Sequence, residues 1–341
     1  MTQTSSLPPR PAFGLQRWSR AFTATLAGAA LLVMGATDAE AQRRITITSL
    51  YSQDKPQTQV WVKFRELLEE RLPGQFDMRI VTDGAMGGEK EEAEGILLGS
   101  INGSLSTIAN LTTWVPEGAL FDMPFMFRDQ AHIDKVLSGP IGDEMKALYY
   151  AQGFTVLDFI TYGARQVLTK EPMSSPEQVR GKTKRVLPAQ LHIDLWSSLG
   201  ANPTAVPITE AYSALETGVV DMMDMTKSGY HALKLFEVAP YITETNHIYA
   251  LGVLYFGNNF FDSLTDEQKA VFREIAPIAA AHFNTLAEAE QGASLKIAVD
   301  GGATVVEADI EAWQAAMAPF WEAYADKVGG MEKIMTIVET Q

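Results

Sequence analysis

Two arginines carry the chemistry that this sequence offers. Arg165 sits in Gly-Ala-Arg-Gln, just after the apolar stretch Leu157 to Ile160, and Arg185 sits on the short strand predicted after Gly181. A guanidinium presents a fixed fork that pairs a carboxylate through two parallel hydrogen bonds; a lysine supplies the charge without that geometry. The chain has 27 basic and 42 acidic side chains, a formal net charge of −15. Two arginines at strand ends in so acidic a chain are candidates for gripping an organic anion, with surface ion pairs to the abundant carboxylates as the open alternative. Other chemistries have no support. Cysteine is absent, which removes disulfides, thiolate zinc clusters and a cysteine nucleophile. The five histidines (His132, His192, His231, His247 and His282) lie in no H-E-x-x-H frame, and each reads as a surface or satisfied core residue. There is no G-x-S-x-G elbow. Gly181-Lys182-Thr183 imitates the end of a phosphate-binding loop, but Pro176 stands where that loop needs glycine. The acidic run Glu89, Glu91, Glu92 and Glu94 reads as a solvated helix face. No metal or cofactor is expected, and the acidic charge excludes nucleic acid as a partner.

The elements that must position these residues alternate between strand and helix. Arg10, Arg17 and Arg20 lead into a short apolar run from Ala21 to Met34, followed by Ala39-Glu40-Ala41, the pattern of an export signal cleaved after Ala41. No later stretch reaches the roughly 18 apolar residues of a membrane span. Ile45 and Ile47 alternate with threonine as a strand. Pro56 opens a helix with Val60, Trp61, Phe64, Leu67, Leu68 and Leu72 on one face. Phe76, Met78 and Ile80 form the next strand, and an acidic helix starts at Glu89. The rhythm repeats later. Ser175 and Gln178 form a capping box, Lys184-Arg185-Val186 a strand, and about Leu191 to Leu199 a helix. Thr209 is read as the cap of a helix ending at Gly218, and Val219-Val220 as the start of a strand. Thr265 and Gln268 cap a long helix running to about Val299. The class is α/β, with length enough for two lobes and a cleft between them.

Five segments resemble the solute-binding proteins of tripartite ATP-independent periplasmic (TRAP) transporters, of the dicarboxylate-binding, DctP-like type. They are GAMGGEKEEAEGILLGSING (84–103), VPEGALFDMPFMFRD (115–129), GARQVLTKEPMSSPEQVRGKTKRV (163–186), LGANPTAVPITEAYSALETGVVD (199–221) and KLFEVAPYITETNH (234–247). They keep the family's order and approximate spacing over almost the whole chain after the export signal. The resemblance implies a two-lobe periplasmic binding protein with a ligand cleft between the lobes and a long helix in the C-terminal half linking them. Residues 42–162 and 251–290 would form lobe I, and 163–250 and 291–341 lobe II. It implies capture of an organic acid, delivery to the membrane permease, a periplasmic location and a monomer. Arg185 inherits the carboxylate-pairing role from the motif read here as Gly181-Lys182-Thr183-Lys184-Arg185-Val186. Arg165 would be the supporting donor. Tyr51, Thr107 and Asn110 would fall on the pocket wall of the first lobe.

The sequence also departs from the family pattern. Val220-Asp221-Met222-Met223-Asp224-Met225 replaces the usual VDGqEN, so Met225 stands where many members place a ligand-binding asparagine. The family lysine two residues before the arginine is Thr183, with lysines at 182 and 184 instead. Met225 offers a polarizable apolar contact in place of two donors and an acceptor, which favours a ligand less polar at its far end than a sugar acid; a core-filling role, in a chain with 14 methionines, is the open alternative. Two rival readings stay open on sequence alone. One is a periplasmic lyase or isomerase with the same arginine anchor and Asp224 or Tyr51 as acid or base. The other is a binding protein that serves a membrane sensor.

Overall fold

The computed structural model describes residues 42–341; the export signal expected over 1–41 lies outside the described residues. The strands are β1 (Arg43–Thr48), β2 (Phe76–Val81), β3 (Gly103–Thr107), β4 (Phe154–Thr169), β5 (Thr183–Val186), β6 (Asn202–Ala205), β7 (Met222–Thr226), β8 (Tyr241–Thr243), β9 (Tyr249–Gly257) and β10 (Thr304–Val306). The helices are α1 (Pro56–Arg71), α2 (Glu89–Leu98), α3 (Ile108–Leu111), α4 (Gln130–Leu137), α5 (Pro140–Ala151), α6 (Gln190–Ser198), α7 (Ala211–Glu216), α8 (Lys227–Ala232), α9 (Asn258–Phe261), α10 (Asp266–Asp300), α11 (Ile310–Tyr324) and α12 (Met331–Glu339).

The strand order β2-β1-β3-β9-β4-β7-β5-β6 joins two similar halves. In the first half β1 runs parallel to β2 and β3, and in the second β5 runs parallel to β6 and β7. Antiparallel β9 and β4 connect them. Each half buries its own apolar face. Trp61 and Phe64 of α1 pack with Phe256 of β9 and Phe272 of α10 in the first, at centroid separations of 5.3–5.8 Å suited to edge contacts. Met223, Tyr230, Leu235 and Ile242 form the core of the second, joined by Ala298 near the far end of α10. The 35-residue α10 therefore serves both cores, with Val271 to Ala287 in the first. Thr265 Oγ1 accepts from Gln268 N (3.2 Å), the expected cap.

One strand sets the geometry of the cleft. β4 pairs with β9 from Phe154 to Ala164, then with β7 from Arg165 to Thr169. The register shifts at Gly163, where φ is +112° and a Cβ would meet the Gln291 side chain of α10. Only glycine adopts that backbone without strain. The shift makes Arg165 the first residue of the new ladder, opposite Thr226.

Three sequence expectations need correction. β7 begins at Met222, not at Val219-Val220; Val219 is exposed, and Val220 N donates to Ala214 O as part of the turn that ends α7. Thr209 does not cap α7, because Ile208–Glu210 already forms a 3-10 turn after Pro207 and α7 starts at Ala211 with no side-chain cap. The acidic helix α2 is not a wholly solvated face. Glu92 is fully buried, accepting from Thr48 Oγ1 and Ser104 Oγ at 2.7 Å each.

Candidate functional site

The parallel strands of both halves end at a common cavity. Its walls come from the carboxyl end of β1 (Ser49, Leu50, Tyr51), from β3 and the α3 that follows it (Leu105, Thr107, Asn110), from β5 and the residue just past it (Arg185, Leu187) and from β7 (Met225, Thr226). Gln57, Glu89, Tyr162, Arg165, Ile208 and Ala250 complete the lining. Ligands in α/β sheets bind at such strand ends, where loops diverge and backbone groups are free. The cavity volume is about 40 Å³, room for a few waters where one needs about 10–15 Å³.

The structure thus brings together six of the seven residues singled out in the sequence: Tyr51, Thr107, Asn110, Arg165, Arg185 and Met225. The two arginines differ in how they are held. Arg185 is buried, and its Nε donates to Val206 O (2.9 Å). Among the described residues its Nη1 and Nη2 make no hydrogen bond to protein, so the fork faces the cavity. Burial first, then the neighbouring Arg165 charge, push it down to about 10, still protonated at neutral pH. Arg165 is already committed. Its Nε donates to Asp224 Oδ2 and its Nη2 to Asp224 O (2.8 Å).

Asp224, the seventh residue, lies behind the wall and is fully buried. It also accepts from Lys184 Nζ, and His247 Nε2 stands 3.5 Å from its Oδ2. Burial alone would raise this carboxyl; Arg165 and Lys184 outweigh burial and hold it well below the usual carboxylate range. Lys184, fully buried, rests 4.2 Å from the centroid of Trp196. Burial pushes it down to about 8, partly offset by Asp224. The lysine at 184, out of place against the family motif, is therefore half of a buried ion pair that fixes Arg165. Met225 packs its thioether onto Gly229, where any larger residue would collide with it.

Glu89 and Gln57 were not singled out as site residues. Glu89 accepts from Thr107 N (2.6 Å), Ser106 Oγ (3.2 Å) and Asn110 Nδ2. Burial raises its carboxyl, and these donors oppose the rise. The acidic run hid it, because a helix with glutamate at four of six positions does not tell which ones turn inward. Gln57 follows Pro56 in the first turn of α1 and reads as ordinary helix surface. Tyr51 has its phenol pushed up by burial, then by the Glu89 charge.

A family model described as "Bacterial extracellular solute-binding protein, family 7" matches residues 47–327. The C4-dicarboxylate-binding periplasmic protein DctP of Shewanella loihica is 25% identical over 305 residues, covering 88% of this chain and 91% of that protein. A solved TRAP periplasmic solute-binding protein from Bradyrhizobium sp., in complex with alpha/beta-D-galacturonate, superposes with a TM-score of 0.82 at 30% identity, covering 87% of this chain and 98% of that one. Another, from Polaromonas sp. and bound to D-erythronate, gives 0.85 at 25% identity over 88% and 99%. The chain belongs to the DctP family, family 7 of the bacterial extracellular solute-binding proteins, the type of solute-binding protein that TRAP transporters use.

Proposed function

We propose that this protein captures an organic acid in the periplasm by pairing its carboxylate with Arg185, closes two lobes around it and hands it to a TRAP membrane permease. The observation that carries the reading is the buried Arg185 guanidinium, whose terminal nitrogens face the cavity with no partner among the described residues. A carboxylate there gains two charge-assisted hydrogen bonds and relieves the repulsion between Arg185 and Arg165. Tyr51, Thr107 and Asn110 contribute from the opposite wall, so contacts from both sides form only when the lobes meet on the ligand. Lobe I comprises 42–162 and 251–290, and lobe II 163–250 and 291–341. The partner change of β4 at Gly163 to Arg165 supports that division, while α12 reaches back to the first lobe through His132 Nε2 and Ile337 O (2.7 Å). The exported chain starts at Gln42 and works as a monomer without turning over its ligand.

Chemistry supports binding over catalysis. The rival acid–base pair is badly placed, since Asp224 is held ionised by two buried cations and Tyr51 is pushed away from deprotonation. Leu105, Leu187, Ile208 and Met225 give the cavity an apolar side that suits the aliphatic part of a small acid. The test is a thermal-shift screen of refolded protein against organic acids, with turnover followed in the same samples. A carboxylate should raise the midpoint without being consumed; at about a hundred times Kd it adds ~2.7 kcal/mol. Consumption of the acid would favour the enzyme. Transfer to a reconstituted permease separates transport from sensing.

A further inference from the structure

The turn that follows Arg185 touches the other half of the molecule. Leu187 and Ala189, just past β5, pack with Ala109 of α3, and all three are buried. They form an apolar cluster of their own, apart from the cores that hold the rest of the fold. Ala109 belongs to the half that carries β1 to β3, and the other two to the half that carries β5 to β7. Both sides are preset. Ala189 N donates to Leu187 O (2.7 Å) across the exposed Pro188, a three-residue turn whose central φ the proline ring fixes. On the facing side, Thr112 Oγ1 donates to Ala109 O (2.7 Å). Leu187 also lines the cavity.

We propose that Leu187 is a positioning residue for closure: with Ala109 and Ala189 it makes an apolar clasp that joins the lobes beside the cavity and holds Thr107 and Asn110 opposite Arg185. This rests on the lobe closure proposed above and deepens it. With the lobes apart, Leu187 has water on its cavity side and no partner at Ala109; with the lobes together it is buried. The gain follows the apolar area removed from water and needs neither direction nor charge. The clasp therefore favours the closed form by the same factor whatever the ligand, whereas Arg185 and the hydrogen-bonding groups choose among ligands. Apparent affinity scales with the fraction of molecules in the binding-competent form. Alanine at 109 and 189 lets the two backbones come close, and leucine is the one large side chain of the cluster, so the clasp depends on it.

The chain has no cysteine of its own, so a variant with Ala109→Cys and Ala189→Cys can form one disulfide, and only while the lobes meet. Its rate of formation under a fixed oxidant reads the closed fraction without any ligand. Adding Leu187→Ala should slow the cross-link about ten-fold. Adding Leu187→Met, of similar volume, should leave the rate within about three-fold. Without the cysteines, Leu187→Ala should leave urea unfolding of the ligand-free protein unchanged, because the leucine serves the contact between lobes and not the core of either. The clasp is overturned if no cross-link forms, if Leu187→Ala cross-links as fast as its parent, if Leu187→Met is as slow as Leu187→Ala, or if Leu187→Ala unfolds more easily. Calorimetric titration with succinate and D-galacturonate, with Arg185→Ala alongside, tests the organic-acid reading separately. If cross-linking fails while an acid binds through Arg185, the clasp falls and acid capture stands; if cross-linking behaves as expected while neither acid binds, the clasp stands and acid capture loses its support.

Discussion

Replacing Arg185 with alanine separates binding from folding. In the structure the side chain spends one hydrogen bond on the protein, Nε to Val206 O, and directs its fork at the cavity. Bound to a carboxylate, that fork is one partner of a buried charge pair, and removing one partner of such a pair costs about 3–5 kcal/mol. At about 1.4 kcal/mol per decade, affinity should fall by roughly two to nearly four orders of magnitude. Arg185→Lys should lose much of the same affinity, because the charge stays but the fork goes. Stability should move differently. Without ligand, Arg185 is a buried cation beside Arg165, so its removal relieves repulsion, and the unfolding midpoint should stay level or rise. The assay is calorimetry for Kd together with urea unfolding of the same refolded samples. Unchanged affinity in Arg185→Ala, or a variant that unfolds several kcal/mol more easily while binding normally, would refute the reasoning: the arginine would then be a structural residue.

Other perturbations probe the supports. Asp224→Asn should destabilise the fold by about 3–5 kcal/mol in urea unfolding, because Arg165 and Lys184 lose their shared buried counter-charge. Arg165→Ala should weaken binding less than Arg185→Ala but stability more, which a paired titration and unfolding series would resolve. Burial raises Glu92 from 4.5 to about 7, so between those pH values the folded protein holds a proton that the unfolded chain has lost. Stability owed to this residue therefore declines as pH rises through that window and levels off above it. Glu92→Gln should remove that slope and gain up to about 3 kcal/mol at pH 8, read from unfolding curves across pH. Gly163→Ala should cost about 1–3 kcal/mol of stability, since φ is +112° and the Cβ meets Gln291.

Local chemistry was legible in the sequence. Pro56 at the first helical position, the Ser175–Gln178 and Thr265–Gln268 boxes and the alternation of Ile45 and Ile47 each act within a few residues, and the elements formed where those signals stand. The family motifs likewise marked Arg165 and Arg185; Arg185 stands at the end of β5 as expected, whereas Arg165 stands inside the 16-residue β4 and not at a strand end. Where local signals misled, a neighbouring turn had already taken the backbone, as at Thr209 and Val219. Tertiary structure alone decided which charges face one another. Residues 89, 165, 184, 185 and 224 come from α2, β4, β5 and β7, and the register shift at Gly163 with the pairing of β7 between β4 and β5 brings them within reach. The division of labour between the arginines, one held by Asp224 and one free to hold a ligand, follows from that convergence. A carboxylate's role depends on what surrounds it in three dimensions, and a linear pattern of glutamates carries no information about which of them the fold turns inward.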